Sequence, residues 1–164
     1  MSKDLTFQVE GYLAIEHELA RIIPDHHDEL MLEEQHKKWD PDYARYRGMA
    51  SAGIIHIPTA RNAAGDLVGY WIFFVLPNLH HKSITTAYCD LLYLRPAYRG
   101  EHRGMRFGEF MLTTLEALAV GEAYCSTKVH RSYGPYFEKL GFFAIETLYT
   151  RLFTKPLAKH EVSA

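Results

Sequence analysis

The chain has 164 residues, 48% hydrophobic and 23% charged, and a net charge of −2. That length suits one domain spanning residues 1–164 with a sizeable core, and the composition excludes disorder as a general description. The near-neutral balance makes nucleic acid an unlikely partner, and no apolar run is long enough to span a membrane. Two cysteines make no disulfide framework, and the first residues carry no apolar signal segment, so a cytoplasmic protein is expected.

In chain order, Val9, Leu13, Leu19, Ile22 and Ile23 predict an amphipathic helix over 8–23, stopped by Pro24. A second helix with an acidic start follows over 25–39. Asp40 and Pro41 open a third, to about Ala52. Residues 53–60 predict a strand that Pro58 places at an edge or bulge. Residues 67–77, apolar at both parities, predict a strand buried on both faces, and 86–94 a further strand. A glycine-punctuated loop over 99–104 leads into a helix over 105–120, with Gly121 as its C-cap. A strand at 123–129, a short helix at 133–140 and a last strand at 146–153 complete an α+β or mixed α/β order.

The chemistry concentrates in residues 91–112. A hydrophobic strand runs through a loop with two glycines directly into a helix, which aims backbone N–H groups and the positive helix end at one spot. Arg95, Arg99, Arg103 and Arg106 surround that spot, against Glu101 alone. The expected ligand is a phosphate or pyrophosphate. Gly100, Gly104 and Gly108 are four apart and no lysine follows, so neither the dinucleotide fingerprint nor the Walker A loop fits.

Here the sequence resembles the GNAT family, the Gcn5-related N-acetyltransferases. Leu92-Tyr93-Leu94-Arg95-Pro96 followed by Arg99-Gly100-Glu101-His102-Arg103-Gly104 is similar to the family's acetyl-CoA loop, with His102 where a glycine is usual. Residues 137–142, FEKLGF, look like its C-terminal element, with Phe137 at the place of the usual tyrosine, and 60–94 look like its antiparallel meander. The pattern is similar in particular to small GNAT proteins of tailed phages. The resemblance implies a mostly antiparallel twisted sheet, flanked by helices, whose fourth and fifth strands splay around acetyl-CoA. It implies direct attack by an amine acceptor, a small molecule or a protein, in a ternary complex. Backbone groups near Leu92, Tyr93 and Leu94 would hold the pantetheine arm. Arg99, Gly100, Glu101, His102, Arg103, Gly104 and Met105 would hold the pyrophosphate, with His130 and Phe137 as further cofactor contacts. Family members also pair as homodimers. A GNAT-like module that binds CoA or a protein without turnover is the alternative.

For the proton transfers, Asp90 either accepts the proton of the incoming ammonium or is a structural aspartate. Phe137 cannot donate a proton, so Tyr133 ranks first as donor to the leaving thiolate, Tyr136 second, and no donor third. The acidic run from Asp25 to Glu34, with Asp90, predicts a cationic or amine-bearing acceptor entering beside the N-terminal helices. Glu29 belongs to that run, as an acceptor-facing residue or a solvated helix face. The pairs His26-His27 and His80-His81 do not chelate as neighbours, and no metal is expected.

Overall fold

The computed structural model describes residues 4–30, 39–100 and 102–151. Strands β1 (Thr6–Glu10), β2 (Ile55–Arg61), β3 (Leu67–Pro77), β4 (Thr85–Leu94) and β5 (Glu122–Tyr124) form one sheet in that order. The first three pairings are antiparallel, and β4 with β5 is parallel. Helices α1 (Tyr12–Leu30) and α2 (Tyr43–Ser51) cover one face. Helices α3 (Arg103–Ala117) and α4 (Gly134–Lys139) cover the other. Among the described residues, no helix is long and apolar enough to cross a membrane.

β3 explains the two-sided core. Its odd positions, Trp71 and Phe73, join Phe107, Met111 and Leu115 of α3, while Tyr70 and Ile72 join Ile15, Leu19 and Ile22 of α1. A strand apolar at both parities is thereby covered on both sides.

Several sequence expectations need correction. Residues 6–10 are a strand rather than the start of a helix. Phe7 stacks on Phe107 at 5.2 Å, and that tertiary contact overrides the helical spacing counted from Val9. Pro24 does not end α1, which runs on to Leu30. Ile22, Ile23 and His26 are buried on both sides of the proline, and their packing outweighs its helix penalty of about 3 kcal/mol. The predicted second helix is therefore the end of α1 as far as Leu30, and residues 31–38 lie outside the described ones. The N-cap of α2 is Asp42, which accepts the Arg45 N–H, rather than Asp40. β2 lies between β1 and β3 and not at an edge. Its ladder to β3 lapses at Ile57–Pro58, where the proline has no N–H to give. β5 covers three residues instead of 123–129, and no strand is present over 146–151.

Candidate functional site

The site begins with an irregularity in β4. Ile72 pairs with Leu91 and Phe73 with Cys89, so Asp90 is an extra residue, a β-bulge. Cys89 lies on the α3 side, and the bulge then puts both Asp90 and Leu91 on the α1/α2 side. Asp90 opens to solvent there, and the Tyr46 hydroxyl donates to its Oδ2 at 3.1 Å. Partial desolvation raises the Asp90 carboxyl above its ordinary value, against the lowering effect of that hydrogen bond.

The bulge sits where β5 stops. β5 accompanies β4 only over Thr86–Tyr88, ending at a Tyr88–Tyr124 ring stack of 5.3 Å. From Cys89 to Leu94 the outer edge of β4 has no strand beside it among the described residues. Arg95 N–H donates to Val68 O on β3, and strand residues alternate edges. Leu92 and Leu94 therefore present their backbone groups to the open side, whereas Tyr93 turns its own toward β3. The open wedge is a template for an extended amide-bearing ligand.

At the wide end of the wedge, residues 99–105 turn into α3. Gly100 has φ +90° and His102, the N-cap of α3, has φ +60°. Left-handed residues beside right-handed ones turn successive N–H groups inward, and a helix N-terminus adds its own first-turn donors. A Cβ on Gly104 would meet nothing within 4 Å, so the backbone there is open to a ligand. Glu101 lies outside the described residues. The histidine adopts the conformation that glycine takes freely, at a strain of about 1 kcal/mol. His102→Gly is therefore expected to raise stability by about 0.5–1 kcal/mol, read as a higher denaturation midpoint; an unchanged or lower midpoint would mean that the side chain contributes more than the strain.

The arginines are less available than their number suggested. Arg99 donates from Nη1 and Nη2 to the two carboxylate oxygens of Glu29, both at 2.7 Å, and from Nε to Leu94 O at 2.6 Å. Arg103 is buried and donates from Nε to Tyr98 O at 3.1 Å and from Nη2 to Arg99 O at 3.4 Å. Arg95 pairs with Asp25 at 3.4 Å, and Arg106 lies over the Phe7 ring at 5.7 Å. All four arginines are thus already engaged within the protein.

Glu29 is the residue whose role the sequence least revealed. Its side chain is only 14% exposed. It also receives Arg131 Nη2 at 2.8 Å, while Arg131 Nη1 donates to Glu29 O at 2.8 Å. Arg99 follows β4 and Arg131 follows β5, so one carboxylate on α1 ties the two walls of the wedge together. The Arg99 hydrogen bonds, ahead of the opposing desolvation, hold this carboxyl below its ordinary value. Beside it, His26 is buried against Tyr93 at 4.8 Å between ring centroids, with Nδ1 2.8 Å from the Tyr70 hydroxyl. Burial pushes His26 down to about 4, which keeps it neutral near pH 7.

The two tyrosines separate clearly. Tyr136 donates its hydroxyl to Gly104 O at 3.0 Å, and its ring lies 6.3 Å from Trp71. Burial raises that hydroxyl well above its ordinary value. Tyr133 is the N-cap residue of α4, half-buried against the α3-side core, within electrostatic reach of Arg99. Its hydroxyl has no hydrogen-bond partner among the described residues. Phe137 packs into the core, its ring 6.4 Å from that of Trp71. Met105 is half-buried on the same core, and His130 is exposed in the turn before α4. Among the described residues, no group of three or more His, Cys, Asp or Glu is placed to hold a metal.

No protein-family model and no curated protein matches the sequence. Solved structures do match, over nearly the whole chain. An aminoglycoside acetyltransferase from an uncultured soil metagenomic sample, in complex with trehalose, aligns with a TM-score of 0.72 and 14% identity, over 93% of this chain and 97% of that one. Ribosomal-protein-alanine N-acetyltransferase from Brucella melitensis biovar Abortus 2308 gives 0.67 and 18%, over 92% and 99%. Glucosamine-6-phosphate N-acetyltransferase from Arabidopsis thaliana gives 0.66 and 14%, over 90% and 99%. The chain has the α+β fold of the GNAT acetyltransferases, with a mixed five-stranded sheet between helices.

Proposed function

We propose that the protein is an acetyl-CoA-dependent N-acetyltransferase, a single cytoplasmic domain that transfers acetyl to an amine by direct attack. The observation that carries this reading is the open edge of β4 beside the left-handed loop that opens α3. An extended pantetheine amide chain fits an unpaired strand edge, and a pyrophosphate fits N–H groups at a helix start. Acetyl-CoA supplies an activated thioester. In this reading the backbone N–H groups of Leu92 and Leu94 orient it and polarise its carbonyl, a contribution that is usually large. The loop residues Gly100 to Met105 bind the phosphates, with Arg99 and Arg103 bracing the loop from behind.

The amine enters on the α1/α2 side, where Asp90 is an exposed carboxylate of β4 that no arginine engages among the described residues. Asp25 and Glu29 are already paired with arginines. Asp90 attracts the ammonium form and takes its proton, directly or through water. Tyr133 is the donor to the departing thiolate, since the Tyr136 hydroxyl is engaged with Gly104. Tyr133→Phe is expected to lower kcat tenfold or more with CoA affinity unchanged. Parent-like turnover would leave the thiolate to depart unaided, as a thiol with a pKa near 8.5 permits. Calorimetry with CoA at low salt tests the whole reading. Binding is expected, and Gly104→Trp should weaken it, because a Cβ at 104 meets nothing within 4 Å and so carries a bulky side chain into the space a ligand would use. An absence of CoA binding by the parent protein would overturn the proposal. Thioester consumption with a panel of amines then separates transfer from binding without turnover.

A further inference from the structure

Two thiols lie where the sheet divides. β5 stays in register with β4 through Ala87–Ala123 and Tyr88–Tyr124. The next residues on the two strands are Cys89 and Cys125. Side chains alternate along a strand, and this pairing sorts them by face. Tyr88 and Tyr124 stack on one face, 5.3 Å between ring centroids. Ala87, Ala123, Cys89 and Cys125 all pack against the α3-side core on the other. The two cysteines therefore stand abreast on one face, one step beyond the last strand pair. Neither takes part in the proposed acetyl transfer.

Paired strands run about 4.8 Å apart, and a disulfide spans Cα atoms about 4.4–6.8 Å apart, so strands that have just begun to part suit it. The two thiols are within hydrogen-bonding reach of each other, and the Tyr136 hydroxyl of α4 lies within electrostatic reach of both. The Cys125 thiol, and burial after it, push the Cys89 thiol well above its ordinary value, which keeps it protonated near pH 7. Cys125 is half-buried and leads straight into exposed residues 126–132, so it is the thiol that an oxidant meets first.

We propose that Cys89 and Cys125 form a reversible disulfide that fastens β5 to β4 at the narrow end of the wedge, with hydrogen peroxide as the oxidant. The Cys125 thiolate attacks one peroxide oxygen. The O–O bond breaks, the other oxygen leaves as hydroxide and takes up a proton to become water, and Cys125 is left as a sulfenic acid. The Cys89 sulfur then attacks the Cys125 sulfur. The S–S bond forms, the S–O bond breaks, and the departing hydroxide leaves as water with the Cys89 proton. The two thiols have lost two electrons and the peroxide has gained them. A small dithiol reverses the change by exchange. In a reducing compartment such a bond is a transient switch rather than a structural framework. The narrow end is where the thioester lies in the proposed function, so the bond limits how far the wedge opens there; that consequence rests on the CoA reading.

Intact mass and thiol titration of the full chain test the bond. After brief peroxide treatment the chain should lose the mass of two hydrogens and both titratable thiols, with no linked pair of chains on a denaturing gel, and dithiothreitol should restore them. Phenylarsine oxide, which bridges neighbouring thiols, should bind the reduced parent and neither Cys89→Ser nor Cys125→Ser. Amide exchange over 122–125 should slow on oxidation of the parent alone. Two surviving thiols, oxygen added to the sulfurs without loss of hydrogen, or a disulfide between two chains would each overturn the proposal. The oxidised parent should bind CoA several-fold more weakly than the reduced one, and equal affinities would overturn the link to the wedge. A reduced parent that binds no CoA would overturn the proposed function instead, and leave the mass and arsenical results standing.

Discussion

Gly108→Val is expected to destabilise the protein by about 2–3 kcal/mol, the scale of a forced overpacking. A Cβ at this position would lie 2.6 Å from Leu140 Cδ1 and 2.6 Å from the Tyr136 hydroxyl oxygen. Gly108 is what lets α3 and α4 approach so closely. Leu140 is itself core, and the Tyr136 hydroxyl is held on Gly104 O, so neither neighbour yields cheaply. Valine should push α4 away, break the Tyr136–Gly104 bond and loosen the loop, so CoA affinity falls with stability. Chemical denaturation measures the first effect and calorimetry the second. Gly48→Ala in α2 is the control: its Cβ would meet nothing within 4 Å, so a small gain is expected from helix propensity alone. A parent-like midpoint for Gly108→Val would mean that the two helices pack less tightly than 2.6 Å implies.

Glu29→Gln should have the second largest effect. The amide can accept from one arginine but carries no charge for two. Because Arg99 and Arg131 are each partly exposed, the expected loss is about 1–2 kcal/mol rather than that of a fully buried pair. The pH dependence gives a sharper signature. The Glu29 carboxyl lies below its ordinary value in the folded protein, so the unfolded chain binds the proton more readily. Its contribution is therefore complete above the unfolded value, near pH 4.3, and fades as pH falls through the lower folded value. Glu29→Gln should flatten that acid limb of stability. It should also free Arg99 and Arg131, which lie on opposite walls of the wedge, and so change CoA affinity. An acid limb as steep as the parent's would place the titrating group elsewhere.

Much of this architecture was legible in the residues. The two-sided burial of β3 followed from its apolar run, and the strand–loop–helix at 91–112 from its glycines and flanking periodicity. The loop was singled out on its chemistry, and Asp90 once the family resemblance had put a cofactor beside its strand. What could not be read was anything that depends on a distant partner. Residues 6–10 carry no strand pattern of their own until β2 and Phe107 are beside them. Glu29 stands in an acidic run that looks like a solvated helix face, and its two arginines come from 70 and 102 residues later in the chain. The arginines near the loop misled for the same reason: their number is local, but their partners are not. Pro24 looked like a stop because propensity is counted residue by residue, whereas the buried side chains on both sides of it act together.

The extra residue in β4 also makes that strand two half-strands of opposite phase. Before it, odd-numbered side chains such as Ala87 and Cys89 look toward α3; after it, Leu91 and Tyr93 look toward α1. The first half is keyed to β5, the second to the open edge. A one-residue deletion at Asp90 would restore an unbroken rhythm and thereby invert one half. Either Leu91 and Tyr93 would exchange faces with Leu92 and Leu94, or Cys89 and Ala87 with their neighbours. The strand is thus a vernier: one added residue lets a single element obey two different registers, one for holding the sheet and one for meeting a ligand.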